Sequence, residues 1–146
     1  MLGARLRRLQ AAADATFAAA AHDAHEADDM ALRLAEAECA IDALEATELQ
    51  SLRAQARGEP HGIRPSMGKV LGSELRQRLT ELGVEIAAHY AAADLPLDDC
   101  LQRGELPIPE DAVFSMSAYL NDRAASIYAG SNEVQRNIVA AHLLAN

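Results

Sequence analysis

From Glu26 to Arg57, apolar residues return at mixed steps of three and four: Met30, Leu32, Leu34, Cys39, Ile41, Leu44, Leu49 and Leu52. That rhythm suits one side of a helix with 3.6 residues per turn, not the strict alternation of a half-buried strand, so the segment predicts a long amphipathic helix. It stops where Gly58, Pro60, Gly62 and Pro65 crowd together, because glycine frees φ and proline removes an amide donor. Any fold for this chain has to be built around that helix.

The neighbouring segments read the same way. An alanine-rich stretch over about Leu2 to Ala21 is helical by propensity. A third helix is expected from near Pro65 and Ser66 through Tyr90, along Met67, Val70, Leu71, Leu75, Leu79, Leu82 and Ile86, with Glu74, Arg78, Glu81 and Glu85 on its wet side. Asp94 to Pro109 holds prolines and a glycine and reads as an exposed loop. Glu110 and Asp111 place carboxylates at the positive end of a fourth helix through Phe114, Met116, Tyr119, Leu120, Ala124 and Ile127, ended by Gly130. Ser131 or Asn132 then caps a last helix over Val134, Ile138, Val139, Leu143 and Leu144.

Alanine supplies much of the apolar half of the composition and aromatic residues only 3%, so the interior predicts close-packed helices with small residues between them. With no strand signal, no fixed-period repeat and no sustained heptad, the expected class is all-α, an antiparallel helical bundle. A length of 146 residues suits one core. The expected division is an alanine-rich helix over 1–25 followed by a bundle over 26–146.

A net charge of −9, from 22 acidic against 13 basic residues, repels a phosphate backbone and argues against a nucleic-acid partner. Cys39 and Cys100 lie far apart without metal-ligand spacing, which suits a reducing cytoplasm. Arg5, Arg7 and Arg8 ahead of an alanine run loosely imitate a targeting peptide, but Asp14 interrupts it, and nowhere is there an apolar stretch long enough for a membrane span.

The most specific segment is Ile127-Tyr-Ala-Gly-Ser-Asn-Glu-Val-Gln-Arg-Asn137. A glycine followed by Ser131 and Asn132 at a helix start gathers unpaired amides, a hydroxyl and a side-chain amide, which is an anion-friendly geometry. The same residues are also an ordinary helix stop and cap, and spacing alone leaves both readings open.

This segment closely resembles the signature near the end of FAD-dependent acyl-CoA dehydrogenases, particularly of variants similar to pimeloyl-CoA dehydrogenase subunits. Upstream, Pro65-Ser-Met-Gly-Lys-Val-Leu-Gly-Ser-Glu-Leu-Arg-Gln-Arg-Leu-Thr-Glu-Leu82 is similar to that family's S-x-x-K helix. The resemblance covers about Glu26 to Asn146, and Met1 to Ala21 matches only loosely. It implies that Ser131, Asn132 and Glu133 contact FAD and that Gly130 lies where the acyl thioester passes. The implied reaction removes the α-proton of an acyl-CoA with a carboxylate while the flavin takes the β-hydrogen as hydride.

The chain departs from that pattern in places. The glutamate that stands before the signature glycine in many members is here Ala129, whose methyl group accepts no proton, so no catalytic base is assigned. Asp14, Asp23 and Glu26 are poor replacements. Where the family usually carries a glycine-rich flavin segment, this chain has Gln102-Arg-Gly-Glu-Leu-Pro-Ile-Pro109. The resemblance also implies helical and β-barrel domains beyond these residues, so a fragment or small subunit is expected.

Other chemistry is weaker. His22-Asp-Ala-His-Glu26 with Asp28 and Asp29 has a possible metal spacing but no distant ligand pair, so a helix start rich in acidic residues is the better reading and no metal is expected. His61, His89 and His142 read as lone surface groups. Ser66 with Lys69 matches the S-x-x-K of acylating serine enzymes without their later motifs, which leaves Ser66 a structural use. Elbow, Walker and dinucleotide-binding patterns are missing.

Two functions remain in view. One is an oxidoreductase component, a fragment or small subunit that supplies FAD contacts and an oligomer interface within a homo-oligomer or a hetero-oligomer of acyl-CoA dehydrogenase subunits. The other is a non-catalytic assembly module derived from that family, with Met67, Leu71, Leu75 and Leu82 as its interface.

Overall fold

The computed structural model describes residues 2–19, 24–87 and 110–145. Among them the secondary structure is helical: α1 (Leu2–Ala19), α2 (Ala24–Ala56), α3 (Arg64–Ala87), a short α4 (Glu110–Val113), α5 (Ser115–Asp122) with a tighter 3-10 turn over Arg123–Ser126, and α6 (Asn132–Leu144). The all-α class and the bundle expected from the sequence are what the structure has. The expected loop Asp94–Pro109 and residues 88–90 at the expected end of the third helix lie outside the described residues, as do His22, His89 and Cys100.

Cross-contacts give the directions. Arg33 of α2 reaches Glu85 of α3 while Leu44 lies against Gly72, so α2 and α3 run antiparallel. Leu9 of α1 sits where a Cβ on Gly83 would come within 3.3 Å of its Cδ2, a close approach that the missing side chain of Gly83 permits. One core joins these three helices: Leu6 and Ala13 from α1, Met30, Leu34, Ala37, Ile41 and Leu44 from α2, and Leu75, Leu79, Leu82 and Ile86 from α3. At roughly 1.5–3 kcal/mol for each fully buried large aliphatic side chain, this cluster is the main source of the fold's stability.

α3 is the hub, since it packs on α1, α2, α4, α5 and α6. Its two ends meet different partners, Ala87 near Ala112 of α4 and Lys69 near Asn132 of α6.

Several sequence readings need correction. On α2 the buried stripe is Met30, Leu34, Ala37, Ile41 and Leu44, whereas Leu32, Cys39, Leu49 and Leu52 are exposed. The steps of four and three keep the buried set on one side, and Leu32, two residues from Met30, is turned about 200° away. Leu75 and Leu82, expected at an interface, are in the core, while Met67 and Leu71 are exposed.

The expected fourth helix is not continuous to Gly130. It breaks at Phe114, where φ −103° and ψ 2° leave the helical region, and α5 starts anew from the Phe114 carbonyl, which accepts from the Ala118 amide at 2.9 Å and the Ser117 hydroxyl at 3.1 Å. Its α-helical part ends at Asp122, because Gln77 Nε2 donates to the carbonyls of Asp122 and Arg123, each at 3.1 Å. With those acceptors drawn toward α3, the backbone tightens, and Ile127 N–H donates to the Ala124 carbonyl at 2.9 Å.

Candidate functional site

One face of α3 forms a polar bed for the 119–132 segment. Lys69, Ser73, Arg76, Gln77, Thr80 and Glu81 follow steps of three, four and one, so they share a stripe of the helix. Arg123 lies on its upper part: Nη1 meets Glu81 Oε1 at 2.7 Å, Nη2 donates to the Gln77 carbonyl at 3.1 Å, and the guanidinium stacks over the Tyr119 ring with 4.3 Å to its centroid.

Below Arg123 sits a buried carboxylate. Asp122 is 1% exposed and accepts from Arg5 Nη1 of α1 at 2.7 Å and from Arg76 Nη2 of α3 at 2.6 Å. Burial pushes this carboxyl toward its neutral form, but the hydrogen bonds from Arg76 and Arg5 outweigh that push and hold it below its ordinary range. The triad ties three helices at one point.

The signature turn crosses the lower end of the bed. Lys69 Nζ donates to the Ser126 carbonyl at 3.2 Å and to Asn132 Oδ1 at 2.7 Å, and Ser73 Oγ donates to the same Oδ1 at 3.0 Å. Between those anchors the backbone enters the left-handed region twice, at Ala129 with φ 58° and at Gly130 with φ 87°. Glycine suits the second position, since a Cβ there would lie 2.7 Å from Gln135 Nε2.

Ser131 is the N-cap of α6, its hydroxyl accepting from Val134 N–H at 3.4 Å. Glu133 folds back on the same helix start: its own amide N–H and the Ser131 hydroxyl hold its carboxyl below the usual range.

Of the residues singled out from the sequence, Gly130, Ser131, Asn132 and Glu133 therefore stand together at one turn, with Ala129 beside them. Gly130 and Glu133 are exposed and Ser131 is half-buried. Asn132 is buried, and its side chain faces α3. Ser66 is buried in the first turns of α3. His61 is exposed at the α2–α3 turn, and among the described residues no group of three His, Cys, Asp or Glu is arranged to hold a metal.

The sequence reading missed the partners under the turn. Lys69 enters the sequence reading only within S-x-x-K, Ser73, Arg76 and Gln77 only as members of the segment similar to the family's helix, with no role of their own, and Asp122 has no role in it. Their one local signal is the helical spacing of polar residues on α3, which looks the same as a solvated face.

Alongside the turn, Met67, Val70, Leu71, Arg136, Val139, Ala140 and Leu143 line an open groove of about 300 Å³ between α3 and α6. Arg136 is paired with Glu74 at its edge.

No curated protein matches the chain. The family model of the acyl-CoA dehydrogenase C-terminal domain matches residues 1–144, so the match runs through α1 as well as the bundle that carries the signature. By that match, and with an all-helical bundle to go with it, the chain belongs to the acyl-CoA dehydrogenase family through its C-terminal domain.

Proposed function

We propose that this chain is the C-terminal bundle of a flavin-dependent acyl-CoA dehydrogenase, a fragment or small subunit that supplies FAD contacts at the 129–133 turn and a surface for assembly. The observation that carries this reading is the turn itself: Gly130, Ser131 and Glu133 gathered at the start of α6 on an outer surface. When bound, the flavin supplies the hydride acceptor for α,β-dehydrogenation of an acyl-CoA thioester.

The chain's own residues divide the work. Ser131 offers a hydroxyl and Asn132 a backbone N–H of the first helical turn, while Glu133, whose amide N–H is bonded to its own carboxylate, takes part by releasing that amide to the flavin edge. Asn132 takes part through its backbone, since its side-chain oxygen is engaged by Lys69 and Ser73. The Glu133 carboxylate already sits at the positive end of α6, so the turn suits the neutral hydrogen-bonding edge of a flavin better than its pyrophosphate. Gly130 leaves room for the thioester. Ala129 brings no carboxylate, so the base that takes the α-proton comes from another element or a partner chain.

Homo-oligomers, or hetero-oligomers with other acyl-CoA dehydrogenase subunits, are part of the same proposal. Met67, Leu71 and Leu143 are exposed along the α3–α6 groove, and such a surface suits a helix of another subunit. A cytoplasmic setting agrees with the free, exposed Cys39. Among the described residues no helix is long and apolar enough to cross a membrane.

A second reading, an assembly module without catalysis, is favoured by Ala129 at the base position. The visible absorption spectrum of the purified chain, taken before and after adding FAD and removing the excess by gel filtration, separates the two. A retained flavin band that bleaches on adding an acyl-CoA supports the first reading. A chain that keeps no flavin, alone or with partner subunits, supports the second.

A further inference from the structure

The ammonium of Lys69 makes no ion pair among the described residues. Its partners are two neutral oxygens, the Ser126 carbonyl at 3.2 Å and Asn132 Oδ1 at 2.7 Å. Those oxygens flank residues 127–131, so a single nitrogen on α3 bridges the entry and the exit of the signature turn. The Ser126 carbonyl belongs to the end of the 3-10 turn, where backbone acceptors have lost their helical donors, and Asn132 is the first residue of α6. Ser73 adds a second hydrogen bond to the same amide oxygen at 3.0 Å and keeps it turned inward.

The enclosed backbone needs such a tie. Ala129 is held at φ 58° and Gly130 at φ 87°, and an alanine stays in the left-handed region only when its surroundings over-determine it. Fixing both ends of a short loop removes most of the alternatives to that shape, and hydrogen bonds from a charged donor are the stronger kind for doing so.

We propose that Lys69 is a positioning residue: by joining Ser126 to Asn132 it sets the shape of the 127–131 turn and so presents the Ser131 hydroxyl and the first amides of α6 on one outer face. The link from that shape to FAD rests on the function proposed above. Lys69 itself touches no cofactor in this scheme, and its effect runs through Asn132 and the backbone.

The test compares the full wild-type chain with Lys69→Met, Lys69→Arg and Ser73→Ala. Amide hydrogen exchange is followed by mass spectrometry, and FAD binding by flavin absorbance titration. Lys69→Met should speed exchange at residues 128–134 about tenfold while α2 and the core part of α3 stay as they were, and should weaken FAD binding by a similar factor. Lys69→Arg keeps donors in place and should recover a good part of both. Ser73→Ala, a milder change that serves if Lys69→Met fails to fold, should speed exchange at the same residues by about threefold.

Exchange at 128–134 within twofold of wild type in Lys69→Met, or in Ser73→Ala where that is the variant that folds, would overturn the inference. So would an increase spread evenly over α2 and α3, which is the mark of general destabilisation. Local loosening with unchanged FAD affinity would overturn the link to binding. If the wild-type chain takes up no FAD, alone or with partner subunits, the proposed function fails, and the exchange results still decide the role of Lys69.

Discussion

The Asp122 carboxylate lies almost wholly out of water between Arg5 and Arg76, whose side chains are 34% and 41% exposed. Removing one member of a buried ion cluster leaves the others desolvated and unpaired, at a cost of several kcal/mol when all are buried. Here the guanidiniums reach solvent, so Asp122→Asn should cost about 2–3 kcal/mol, read from denaturant midpoints at neutral pH.

The same carboxyl makes stability depend on acid. Its pKa in the fold lies below that of the unfolded chain, so its contribution is complete above the unfolded value, about 3.9, and is lost as pH falls through the lower folded value. Between pH 5 and pH 2.5, the Asp122→Asn variant should therefore lose less stability than wild type, and a parallel loss in both would contradict the assignment.

At Ala129 the expected change has the opposite sign. Replacing it with glycine relieves a left-handed alanine but adds freedom to the unfolded chain, and because the steric cost is about 1–2 kcal/mol and the entropic one nearer 0.5–1, Ala129→Gly should raise the melting temperature by a few degrees. A fall would mean that surrounding contacts favour the methyl group.

At the scale of elements, α3 does two jobs with two faces. Leu79, 0% exposed, stands on the face that meets α1 and α2, and Leu79→Ala should cost about 3 kcal/mol through lost burial and the cavity left behind, measurable by urea titration. Part of that face was legible in the sequence, since Leu75, Leu79, Leu82 and Ile86 of α3 and Met30, Leu34, Ile41 and Leu44 of α2 follow steps of three and four. The same reading took in the exposed Leu32, Cys39, Leu49, Leu52, Met67 and Leu71 and passed over Ala37, because an apolar side chain is named by its type and not by the face it occupies.

The other face of α3 was not legible. Lys69, Ser73, Arg76, Gln77 and Thr80 have the composition of a wet surface, and only their distant partners make them otherwise: Asp122 meets Arg5 across 117 positions and Lys69 meets Asn132 across 63. The Ser131 cap was readable because a cap and the amide it serves lie three residues apart. The break at Phe114 and the tightening after Asp122 could not be read, since the latter depends on Gln77 drawing carbonyls toward another helix.

The whole molecule combines a formal charge of −9 with exposed apolar side chains on α2, α3 and α6, among them Leu52, Leu71 and Leu143. Like charge holds copies apart and apolar surface draws them together, and salt weakens only the first. Sedimentation velocity should thus find more self-association at about 0.5 M salt, where screening is short-ranged, than at low ionic strength. The double variant Leu71→Glu with Leu143→Glu should stay monomeric under both conditions. Equal association in wild type and variant would place the contact on another face, such as the one carrying Leu49 and Leu52.

The polar bed on α3 bears on how the molecule can be divided. A signature whose bends are held from below by another helix is not a self-sufficient motif, however recognisable its letters. A synthetic peptide of residues 115–145 would carry every character of it and still lack its shape, because the nitrogen that joins its two ends would be absent. Supplied in trans, a second peptide spanning α3 would act as a template on which the first could set.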